Sequence, residues 1–112
     1  MQLPAVDDTI VAISSDWQPT PLGIIRLSGP DSFRLLSTLG VTPPAERPSP
    51  HVYRARLTLP DDRVLPADVI CFHHPRSYTG QDIVEIHTVG CLPLLRELSA
   101  NLLEAGARRA RG

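Results

Sequence analysis

Hydrophobic residues along this chain come in short bursts separated by proline, glycine and aspartate. Residues 9–14 (TIVAIS) and 22–28 (LGIIRLS) are apolar runs rich in β-branched side chains and too short for helices, so each predicts a buried strand. Pro19 and Pro21 mark a loop between them, because proline has no N–H for a sheet ladder. Gly29 and Pro30 end the second run. Phe33, Leu35, Leu36 and Leu39 then recur at roughly helical spacing. Pro30 and Asp31 suit the start of that helix and Gly40 its stop.

Residues 41–50 hold four prolines and predict a stiff internal loop. Residues 51–59 alternate, with Arg54 and Arg56 on one face and Tyr53, Ala55 and Leu57 on the other, which predicts a half-buried strand. A turn at 60–63 returns the chain as a second strand over 64–73, apolar at its centre from Asp68 to Phe72, so the two make a hairpin. Residues 75–80 form a loop and 82–87 a fifth strand. Over 92–105 the stripe Leu95, Leu98, Leu102 and Leu103 predicts an amphipathic helix, capped by Gly106. Residues 108–112 have no evident partner and predict a disordered tail. The pattern therefore implies one α+β domain over residues 1–112. It has a single mixed five-stranded sheet and two helices on one face, in the order β-β-α-β-β-β-α.

Composition narrows the function. A net charge of −1 and 21% charged residues exclude a disordered polyelectrolyte and a surface-wide electrostatic grip on nucleic acid. Mean hydropathy is −0.04, and no apolar stretch approaches the ~20 residues of a membrane span. The N-terminus lacks a basic region and carries Asp7 and Asp8, unlike a signal peptide, so a cytoplasmic protein is expected. Cys71 and Cys91 are too few for a disulfide scaffold. All 11 basic residues are arginine, which removes a P-loop and any Schiff-base lysine. Cys71, His73 and His74, or His87 and Cys91, invite a metal reading. Their spacing matches no common zinc template, and Cys71 reads more simply as core filler.

Two charges interrupt apolar runs. Arg26 lies in Gly-Ile-Ile-Arg-Leu and shares a strand face with Ile24; Glu85 lies in Ile-Val-Glu-Ile and shares one with Ile83 and His87. Buried unpaired, each would cost several kcal/mol. Two accounts stand. The face is solvated or the two charges pair across strands, or they form a ligand site on an open sheet face. There a guanidinium and a carboxylate could read a flat heterocycle carrying donors and acceptors.

The stretches Asp8-Thr-Ile-Val-Ala-Ile-Ser, Gly23-Ile-Ile-Arg-Leu-Ser-Gly-Pro30 and Ser77-Tyr-Thr-Gly-Gln-Asp-Ile-Val-Glu-Ile-His87 occur here in order. With the closing Glu104-Ala-Gly-Ala-Arg108, they closely resemble the N-terminal domain of the tRNA modification GTPase family MnmE/TrmE. The resemblance runs from about Asp8 to Arg108. It implies a fold related to the folate-binding fold of the glycine-cleavage T protein. It also implies binding of a tetrahydrofolate derivative (5-formyl or 5,10-methylene) and homodimerisation. In that family an FAD-dependent MnmG-type partner and tRNA act with the full-length protein, and folate supplies the carbon placed at C5 of the wobble uridine. By motif position Arg26 and Glu85 fall on the family's folate-contacting arginine and glutamate. Pro19 and Pro21 stand where the family has a glycine-rich stretch, Gln81 replaces a glutamate, and a further folate-contacting lysine has no counterpart. The resemblance thus implies a binding module, not a catalyst. The alternative is a degenerate relative that keeps the fold and self-association but not the ligand. A stand-alone folate-dependent transferase is disfavoured by the want of a second half-domain and a general base.

Overall fold

The computed structural model describes residues 8–14, 22–42, 51–73 and 81–110. Its elements run β1 (Ile10–Ser14), β2 (Leu22–Ser28), α1 (Ser32–Ser37), β3 (His51–Thr58), β4 (Val64–Phe72), β5 (Ile83–Val89), α2 (Leu92–Glu104) and β6 (Arg108–Arg109). The strands form one sheet in the order β3-β4-β5-β2-β1-β6. Every pairing is antiparallel except β1 with β6, which makes the sheet mixed.

Alternation divides the sheet into two faces. Val11, Ile25, Leu27, Leu57, Ala67, Val69, Cys71, Val84 and Ile86 form one buried cluster with Leu35 and Leu36 of α1 and Leu95, Leu98 and Leu102 of α2. Both helices therefore cover the same face. The close fit is visible at Gly23, where an added Cβ would lie 2.4 Å from a methyl of Leu95. Gly29 joins β2 to α1 at φ +142°, and a Cβ there would sit 2.6 Å from the carbonyl oxygen of Asp8, so only glycine fits the corner. Ser32 secures the same corner by donating its hydroxyl to the Gly29 carbonyl at 2.8 Å.

The expected strand count is corrected, and so is the expected tail over residues 108–110; residues 111 and 112 lie outside the described residues. The sheet has six strands, because the chain after α2 pairs with β1 instead of fraying. The Arg108 N–H donates to the Thr9 carbonyl at 2.7 Å and the Ala110 N–H to the Val11 carbonyl at 2.9 Å. Arg108 also bridges to Asp8, and Ala107 is buried. A two-residue parallel strand is too short to show alternation; its partner is set by the direction in which α2 returns the chain. Gly106, at φ +119°, makes that turn as expected of a residue just past a helix. The first helix is shorter than the leucine spacing implies. Asp31 is its N-cap and Pro30 stands one residue outside it.

Candidate functional site

The face opposite the helices carries the polar residues of the strands. Strand register sets them in rows. In one row Val52, Ile70, Glu85, Arg26 and Ala12 lie side by side; in the next come Arg54, Asp68, His87 and Ile24. Arg26 and Glu85 are thus direct cross-strand partners in neighbouring central strands, and among the described residues no helix covers them.

Their side chains meet. Arg26 donates to Glu85 Oε2 from Nε at 3.1 Å and from Nη2 at 2.6 Å. The other carboxylate oxygen, Oε1, lies 3.2 Å from Nε2 of His87, two residues along the same strand. The Glu85 side chain is 17% exposed and that of Arg26 41%. The two charges pair across strands, on the face of the sheet opposite the described helices. At this exposure the ion pair is worth on the order of 1 kcal/mol, so holding the fold together does not account for two charges mid-strand.

The surroundings extend the polar patch. At one end the Ser28 hydroxyl donates to Gln81 Oε1 at 3.3 Å. At the other, Arg54 and Asp68 pair at 3.3 Å beside His87. Asp68, expected within an apolar strand centre, lies instead on this face, opposite Arg54 in register. His87, expected on the strand face of Glu85, lies there, and the structure adds the contact between them. Pro19, Pro21, His74 and residues 77–80 lie outside the described residues.

Cys71 and His73 turn to the helix-covered side. Cys71 is fully buried, and burial pushes its thiol up to about 11, with the neighbouring Tyr53 hydroxyl offsetting part of the rise. At neutral pH it is a thiol, unsuited to nucleophilic or metal chemistry. Burial likewise raises the Tyr53 phenol, with Cys71 adding to the rise. His73 stacks on Phe33, ring centres 4.6 Å apart. Among the described residues no group of three or more His, Cys, Asp or Glu could hold a metal ion. Nor is any helix among them long and apolar enough to cross a membrane.

The donor set suits a small planar heterocycle. Oε2 of Glu85 accepts twice from Arg26, while among the described residues Oε1 meets only His87 and keeps a second acceptor direction. A carboxylate so held accepts from an amino-pyrimidine edge without losing its own charge partner. The fit is chemical, resting on the acceptor left open on Glu85.

Fold and site together define an open-faced α+β domain, with helices on one side of the sheet and a paired guanidinium and carboxylate on the other. The family model for the GTP-binding protein TrmE N-terminus matches residues 9–112, and the chain belongs to that family. It is similar to the tRNA modification GTPase MnmE of Rhodopirellula baltica, at 41% identity over 94% of this chain and 23% of that protein. Similarity to the same-named protein of Xanthomonas oryzae is 40% over 92% of this chain and 23% of that protein. For Neorickettsia sennetsu the figures are 38%, 84% and 17%. The chain thus spans about a quarter or less of the length of these relatives.

Proposed function

We propose that this chain is a tetrahydrofolate-binding and self-associating module serving an MnmE-type tRNA modification GTPase. The observation that supports it most is the Arg26–Glu85 pair. Two charges that contribute little to stability are held by register on the sheet face opposite the helices, with an acceptor direction of Glu85 left open among the described residues. In this reading Glu85 accepts from the amino-pyrimidine edge of a pterin, Arg26 holds the carboxylate ionised and in place, and Ile24 and Ile70 flank the ring. When bound, the 5-formyl or 5,10-methylene folate supplies the one-carbon unit destined for C5 of a wobble uridine. The chemistry itself, together with GTP hydrolysis, tRNA and an FAD-dependent MnmG-type partner, belongs to the full-length protein. This module contributes the ligand and, as a homodimer, the pairing of two copies.

Calorimetric titration with 5-formyltetrahydrofolate tests the reading. Saturable binding is expected in the wild-type chain, weakened at least tenfold in Glu85→Gln and in Arg26→Ala. Absence of binding at millimolar ligand, or binding indifferent to both substitutions, overturns it. A dimer in sedimentation that ignores folate assigns the chain instead to a relative that keeps only fold and association.

A further inference from the structure

A shallow depression of about 150 Å³ lies on the open face beside the Glu85–His87 contact. Leu22, Arg54, Pro66, Asp68, His87 and Val89 are among the residues that line it. Its apolar part is unusual for a solvated strand face: Leu22 and Val89 are direct cross-strand partners, 55% and 40% exposed. Its far side is basic. Arg54 lines the depression, and Arg56 follows two residues along the same face of β3, opposite the lining residue Pro66 in register. Arg56 makes no ion pair among the described residues. The one acid among the described lining residues, Asp68, engages Arg54 at 3.3 Å with both side chains largely exposed, so an incoming carboxylate exchanges with it at little cost.

We propose that this depression receives the carboxylate-bearing tail of the ligand whose ring lies at Glu85, and that Arg54 and Arg56 select folates carrying more than one glutamate. The inference rests on the folate reading and adds to it a subsite and a specificity. Strand spacing and rise put the Arg54 and Arg56 backbones about 12 and 17 Å from that of Glu85. An extended pteroyl group spans a distance of that order, which carries its first carboxylates to Arg54 and the following ones to Arg56. The benzoyl ring then covers Leu22 and Val89. That placement removes apolar surface from water, and the two guanidinium groups meet the negative charges that each added glutamate brings.

The test is calorimetry of the 112-residue chain with 5-formyltetrahydrofolate bearing one or three glutamates, at low salt. The triglutamate is expected to bind roughly three- to tenfold more tightly, the scale of one or two exposed ion pairs. The ratio is expected to fall to about one in Arg54→Gln/Arg56→Gln, two surface changes on an edge strand whose folding circular dichroism verifies. Arg96→Gln, on the exposed side of α2, is expected to keep it. Equal affinities in the wild-type chain, a preference that survives the double substitution, or one lost equally in Arg96→Gln overturns the tail subsite. If the monoglutamate binds through Glu85 while chain length has no effect, this inference alone falls. If neither compound binds, it falls together with the folate reading.

Discussion

On the helix-covered face of the sheet, Ile25, Val69 and Ile86 are fully buried against Leu95 and Leu98. One position along the same strands, Arg26, Glu85 and His87 face outward and bind each other. The covered face follows from hydrophobic burial alone: its residues are apolar, interlocked, and replaceable only at a cost in packing. The open face has no such explanation. Its central charges sit where neither burial nor solubility demands them, and under the proposed function their place is explained by the ligand they bind. A residue that stabilises a fold and one that serves a site can thus be neighbours in sequence, separated only by the direction of the pleat.

The largest effect expected from breaking this contrast lies on the covered side. Leu98→Ala, at a position with no exposure, should lower unfolding free energy by about 2–5 kcal/mol in urea denaturation. Gly29→Ala forces a side chain into a positive-φ corner against the Asp8 carbonyl and should cost about 1–3 kcal/mol by the same measurement. Glu85→Gln should shift stability by no more than about 1 kcal/mol, while removing most of the affinity for the folate probe. Equal losses of stability at Leu98 and Glu85 would erase the distinction between the faces.

A pH dependence sharpens the comparison further. The Cys71 thiol is held up to about 11 in the folded chain, against 9.0 for an ordinary thiol. A group whose folded value is raised adds stability below its unfolded value and loses it as pH climbs to the folded one. Stability should therefore decline between about pH 9 and 11, and the Cys71 part of that decline should vanish in Cys71→Ala. Smallest of all is a chemical contrast. Cys91 is exposed and Cys71 buried, so a thiol reagent should label Cys91 at once and Cys71 only on unfolding.

Much of this was legible in the sequence, and unevenly so. Strands of five or more residues announce themselves by alternation, as in Tyr53, Ala55 and Leu57 against Arg54 and Arg56, and the leucine stripe of α2 does the same at helical period. The misplaced charges Arg26 and Glu85 were visible for the same reason: a charge breaks a pattern only where a pattern exists. The sixth strand was not visible, since Arg108 and Arg109 pair with β1 across about a hundred residues of chain and carry no local signal. Nor was the row that joins Arg54, Asp68 and His87, because it depends on three strand registers at once. Sequence supplies faces; register supplies neighbours.

The most direct measurement is a map of backbone amide shifts as 5-formyltetrahydrofolate is added to the isotopically labelled chain. The account predicts saturable movement concentrated at Arg26, Glu85 and His87 and the strand residues beside them, with Leu98, Asn101 and the rest of α2 still. Shifts centred on α2, or none at all at saturating ligand, would contradict it.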